Sequence, residues 1–257
     1  ESAPDWWAAV LDVAATPAVT ERPGLAKRIF EEIEWVKEHV GEDWAKALLP
    51  SAYAAVPTKY ADAEKLRRDV CQLLGGIQDP DVKTLAEVNA LWRLAEKGLP
   101  PCGVDLCTEE AREGCVDFLE KALEKKAGEL LPKLAELRRK AEKGELSKEL
   151  EKYLAVKSLR RPLEALQMVL SEAEAKLYYS LAKAKLDAGR LEEAEKYFSK
   201  AAELDKELGV WENYLTDSSW AARARVLRAG DLGGVVKAAE IFEKLWREAD
   251  KHITPTA

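Results

Sequence analysis

This 257-residue chain is short of the side chains that heat damages first: it has one Met, three Gln and two Asn. Histidine is nearly as scarce, with only His39 and His252. Neither stands three residues after a Glu, so the Glu-x-x-His ligand pairs of a di-metal helix bundle are excluded. No apolar run reaches the roughly 18 residues that a membrane-crossing helix needs. No stretch alternates apolar and polar residues beside a hairpin turn, which argues against a β component. Phosphate-loop, dinucleotide and zinc-protease motifs are also missing, and the Gly75-Gly76 and Gly233-Gly234 pairs have no Lys-Ser/Thr after them. No metal or cofactor is therefore expected.

Cysteine is sparse as well: Cys71, Cys102, Cys107 and Cys115, with no C-x-x-C pair among them. Three readings stay open. Buried free thiols are the plainest. A bridge from Cys102 to Cys107 or to Cys115 suits a hyperthermophile, whose intracellular proteins keep disulfides. A zinc site would need four thiolates gathered from a helix and a loop.

Charge, by contrast, is abundant. Asp, Glu, Lys and Arg make up 34% of the chain, against about 25% in ordinary domains. Together with the depleted thermolabile residues, this points to an ion-pair-rich protein of a thermophile, archaeal by expectation and cytoplasmic. The net charge of −7 opposes non-specific attraction to nucleic acid or to an anionic membrane face. The opening ESAPDWWAAVLDV lacks a basic start and carries Asp12, so it reads as a helix and not as a signal peptide. Trp6 and Trp7 there serve as anchors for a partner or pack on the body of the protein.

Apolar residues recur every three to four positions almost throughout, with Gly, Pro and Asp at the breaks. Leu25, Ile29, Ile33, Val36 and Val40 form one stripe, with His39 off it and exposed. Asp43, Thr58 and Asp79 are candidate helix caps. Val116, Leu119, Leu123, Ala127, Leu130, Leu134, Leu137 and Ala141 form a long seam in which Pro132 predicts a kink, and Pro162 predicts a further break. The fold class is all-α, with about nine to eleven helices stacked as antiparallel hairpins or as an irregular bundle. The Pro- and Gly-containing stretch Leu99–Thr108 divides an N-terminal layer, residues 1–101, from a C-terminal region, residues 108–257, with Thr108 as a helix cap. The two regions can share one core.

Within the second region, residues 175–208 have a specific look. Tyr178, Leu181, Ala182, Gly189, Ala194, Phe198, Ala201 and Leu204 fall where small and bulky residues let two helices of a hairpin pack closely. On these positions the segment resembles one tetratricopeptide unit. Lys185 and Lys206 depart from that pattern, standing where the family has an aromatic and a proline, and no second copy lies at the right period. The resemblance implies a scaffold for holding other chains. It also implies a concave face carrying Lys176, Tyr179 and Lys183, on which an acidic or C-terminal peptide would bind. The alternative for these three is two solvated lysines and a core tyrosine.

A second, shorter likeness leads elsewhere. Arg247 and His252, an Arg and a His separated by four residues on a late helix, resemble the motif of the HEPN helical ribonucleases. That implies metal-independent RNA cleavage, with Arg247 steadying phosphate charge and His252 moving protons. Trp220, Arg223, Arg225 and Arg228 form a basic helix face suited to stacking on RNA, or else a core Trp with arginines paired to surface Glu. The expected function is a protein-interaction scaffold or adaptor without catalysis, its partner another protein or a peptide. A homodimer remains open, and an RNA-handling protein is the alternative.

Overall fold

Among the described residues, Pro23, Pro50 and Pro80 stand in the first turn of their helices, where the missing N–H costs nothing and the fixed φ suits the turn. The computed structural model describes residues 4–15, 19, 22–59, 62–104, 112–157, 162–230 and 232–252. Among these, every regular element is a helix: α1 (Pro4–Ala14), α2 (Pro23–His39), α3 (Asp43–Lys46), α4 (Leu49–Ala55), α5 (Ala63–Gly75) and α6 (Pro80–Glu96), then α7 (Arg112–Lys143), α8 (Lys148–Lys157), α9 (Pro162–Asp187), α10 (Leu191–Leu208), α11 (Trp211–Ala229) and α12 (Leu232–His252). The fold is all-α over the described residues. No described helix is long and apolar enough to cross a membrane.

Local chemistry explains several boundaries. Asp79 caps α6 by accepting hydrogen bonds from the amides of Asp81 and Val82. α5 is capped by Asp62, which accepts from the Lys65 amide, and not by Thr58. Asp43 does not cap from outside the helix. It is the first residue of α3, and its carboxylate accepts from the amides of Gln78 and Asp79. α8 is described to Lys157 and α9 from Pro162, so the expected break between them lies outside the described residues. Pro132, in contrast, lies within an unbroken α7.

The chain forms two units, residues 1–106 with 128–170, and residues 107–127 with 171–257. One division falls between residues 106 and 107. A single cut there does not describe the chain, because residues 128–170 group with the N-terminal helices. α7 has 32 residues and is about 48 Å long at 1.5 Å per residue, too long for one small core to enclose.

In the first unit α4 is the centre. Leu49, Pro50, Ala52, Tyr53, Ala54 and Ala55 are all buried, with α1, α2, α5 and α6 packed around them. The Tyr53 hydroxyl lies 2.6 Å from Asp69 and 2.7 Å from Glu34. Burial is the largest cause holding this phenol above its usual range, and the two carboxyls add to it. Trp6 is exposed and Trp7 half-buried, the two rings meeting edge to face.

The cysteines correct two expectations. Cys71 on α5 is bridged to Cys102, with Cα atoms 5.5 Å apart, so Cys102 pairs with neither Cys107 nor Cys115. Cys115 is itself disulfide-bonded, and no described cysteine is free. Cys107 and Thr108 lie outside the described residues. The physical reason for the first pairing is on α5 itself. Arg67, one turn before Cys71, donates to the carbonyls of Pro100, Pro101 and Val104. This guanidinium gathers the loop and brings Cys102 over the helix.

The second unit stacks sequential helices. α9 and α10 form a hairpin at Gly189, whose φ of 72° is left-handed and open to glycine without a Cβ penalty. α10 packs on α11, and α11 on α12. Ala182, Ala194, Phe198, Ala221 and Ala224 form the buried cluster, with Tyr179, Leu186, Tyr197 and Trp220 against it. The small residues let the backbones approach, and the aromatic rings fill what remains.

Candidate functional site

Two features of the second unit are chemically unusual, and both are built on α11. The first is a groove of about 650 Å³ between α11 and α12. Leu215 forms one wall, and Phe242, Leu245 and Trp246 form the other. Helix α12 is the cause, since it carries two apolar stripes. Gly234, Ala238, Ile241 and Leu245 turn inward, the first two buried and the others half-buried. Val235, Ala239, Phe242 and Trp246, each one position further on, are exposed. Trp246 shows 75% of its surface and Phe242 42%. The charged groups lining the groove are Glu243 and Asp250. Glu248 fastens the helix from its other side, accepting from Lys206 Nζ at 2.7 Å and from the Tyr214 hydroxyl at 3.0 Å.

The second feature is a pair of aspartic acids facing the opposite way from α11. Asp205 on α10 and Asp217 on α11 are both buried and hydrogen-bonded to each other. Two carboxylates cannot share such a bond unless one keeps a proton. Burial, reinforced by the neighbouring charge of Asp205, pushes Asp217 up to about 8. Asp205 is pushed up to about 6, burial again the main cause, while bonds from Asp217 and Asn213 pull the other way. Asp205 Oδ1 is buried without a hydrogen-bond partner. Glu172 and Lys176 on α9 are the charged neighbours.

The residues singled out from the sequence fall as follows. Lys176 and Lys183 are each held by a carboxylate one turn away, Glu172 at 2.6 Å and Asp187 at 2.6 Å. Tyr179 turns into the core and meets Phe198 edge to face. The three therefore do not converge on an open peptide-binding face. Trp220 stacks on Phe198 within the core, with the Arg223 guanidinium over its ring. Arg225 and Arg228 both pair with Glu195, whose single charge offsets one of the two. Arg247 is 74% exposed and bonded to Glu243 at 2.6 Å. His252 ends α12, but its side chain lies outside the described residues. His39 is exposed, stacked on Trp35 and donating from Nδ1 to the Trp35 carbonyl.

Sequence reasoning missed the groove and the aspartate pair. A signal for both existed. Asp205 continues the inward stripe Ala194, Phe198, Ala201 and Ala202, and Asp217 begins the one through Ala221 and Ala224. An acid on an apolar stripe is either protonated or partnered.

Comparison with known proteins finds no matching family model and no significant match among curated proteins or solved structures.

Proposed function

We propose that this chain is a protein-interaction scaffold that holds a partner protein or peptide in the groove between α11 and α12, with no bond chemistry of its own. The observation carrying this reading is Trp246, three-quarters exposed beside Phe242 at the edge of an apolar groove. Large aromatic side chains in clefts are the residues that dominate binding energy when a partner covers them. The close-packed hairpin of α9 and α10 supports a tetratricopeptide-like scaffold, in which Gly189 and the buried Ala182, Ala194 and Phe198 serve the packing the motif calls for. We place the binding surface at the groove and not at the face of Lys176 and Lys183, because the aromatic between those lysines, Tyr179, packs on Phe198 whereas Trp246 is exposed.

The setting we favour is the cytoplasm of a thermophilic archaeon. Low Met, Gln and Asn with abundant Glu and Lys suit that setting, where intracellular disulfides such as Cys71–Cys102 persist.

The test is affinity capture from native extract with the wild-type chain and a Trp246→Ala/Phe242→Ala variant, both checked for unchanged helicity. A partner retained by the first and lost by the second identifies the function. Identical captured sets would sink the groove.

A further inference from the structure

Resting on that reading of the groove, we infer that its occupant is a single amphipathic α-helix with lysine or arginine along its flank. Three observations lead there.

The first is spacing. Along α12 the exposed Val235, Ala239, Phe242 and Trp246 are separated by four, three and four residues, with Val236 exposed beside the first and the last two lining the groove. That is the seam a helix offers to another helix, in which each knob meets a hole between four neighbours. It covers about 17 Å, or three helical turns.

The second is the backbone. Both walls of the groove are helices, whose amides and carbonyls are bonded within their own turns. An extended peptide needs a sheet edge or side-chain amides to satisfy its own backbone. The walls provide leucine, phenylalanine and tryptophan, with Ser219 the one hydroxyl in the lining. A helical occupant arrives with its backbone already satisfied and asks only for side-chain contact.

The third is charge. Glu243 and Asp250 line the groove. Arg247 spends its guanidinium on Glu243, and Asp250 makes no ion pair among the described residues. A basic flank complements this rim. A second copy of the chain does not: pairing α12 with its own equivalent across a two-fold axis near Trp246 sets the same acids against one another, on a chain already carrying −7. Charge thus selects a basic helix over self-association.

The experiment uses the full chain and three synthetic 18-residue peptides with one common leucine seam. One is flanked by Lys, one by Glu, and the third is the Lys peptide with a central Pro that breaks the helix. Binding is read by calorimetry and by tryptophan fluorescence at two salt concentrations. The expected result is that the Lys peptide binds at least about tenfold more tightly than the other two. Its affinity should fall about tenfold or more in Trp246→Ala, and Glu243→Lys/Asp250→Lys should reverse the preference between Lys and Glu flanks.

Equal binding of the Lys and Glu peptides, lost in Trp246→Ala, overturns the basic flank while leaving the groove. Equal binding of the Pro peptide overturns the helical occupant. Binding of none of the three, alongside a Trp246-dependent partner in the capture experiment, overturns this inference without touching the scaffold reading. A dimer by sedimentation equilibrium that Trp246→Ala dissolves replaces the basic helix with a second copy.

Discussion

Lys185 Nζ lies 2.7 Å from Glu120 Oε1, and the two side chains are 4% and 3% exposed. Glu124 at 2.6 Å and Glu193 at 2.9 Å complete the shell around the ammonium, and Arg190 adds a second cation to Glu120. Burial acts to lower the pKa of Lys185, but its bonds to Glu120, Glu124 and Glu193 outweigh that and raise it. One charge here ties α7, α9 and α10 together at a position where the tetratricopeptide pattern has an aromatic ring.

Replacing that lysine takes one of two cations from the buried Glu120 and leaves Arg190 beside it. Breaking a fully buried pair costs about 3–5 kcal/mol. Glu124 and Glu193 are 43% and 50% exposed, so water reaches one side of the cluster. The expected loss for Lys185→Met is therefore nearer ~2–3 kcal/mol, measured by urea denaturation. A loss below a few tenths would show that the cluster is solvated in solution.

The aspartate pair makes stability depend on pH in a definite sense. Asp205 and Asp217 hold protons in the fold that the unfolded chain, with carboxyls near 3.8, has given up. Their contribution is fully present below about 3.8, falls as pH rises, and is gone above about 8. Asp217→Asn keeps the hydrogen bond without a titrating proton. Its unfolding free energy should vary less between pH 5 and pH 8 and exceed that of the wild type at the upper end by ~1–2 kcal/mol. Parallel wild-type and variant curves across that range would exclude the shared proton.

Gly209 ends α10 with φ of 73°, and a Cβ added there would meet nothing within 4 Å. The cost of Gly209→Ala is thus purely conformational, about 1–2 kcal/mol, with the helical spectrum unchanged. A neutral result in thermal denaturation would mean that the α10–α11 turn relaxes to another conformation.

Cys71 and Cys102 are 31 residues apart, and opening a ring of that size releases about 3–4 kcal/mol of loop-closure entropy to the unfolded chain. The Cys71→Ser/Cys102→Ser variant should melt at a lower temperature yet keep its loop, because Arg67 still binds the carbonyls of Pro100 and Pro101. Adding Arg67→Ala should then release residues 100–104 to proteolysis. Equal protease resistance in the two variants would remove that role from Arg67.

Helix content was legible in the sequence because apolar stripes, Asp caps and first-turn prolines are local signals. So were the Gly189 turn and the burial of Ala182, Ala194 and Phe198, which follow from residue size. What stayed hidden depended on distant neighbours. The pairing of Cys71 with Cys102 needs Arg67 to gather a loop 33–37 positions away. Lys185 reads as a surface lysine until three glutamates from α7 and α10 are seen around it. Both stripes of α12 are visible as letters, but which one faces α11 is decided by packing.

The bridge at Cys71 encloses the whole of α6. That helix cannot fray away from the protein as an independent piece, since both of its connections return to the same covalent anchor on α5. In native-state hydrogen exchange the amides of α5 and α6 should then open together, with one shared free energy, and should separate into two kinetic groups once the bond is reduced.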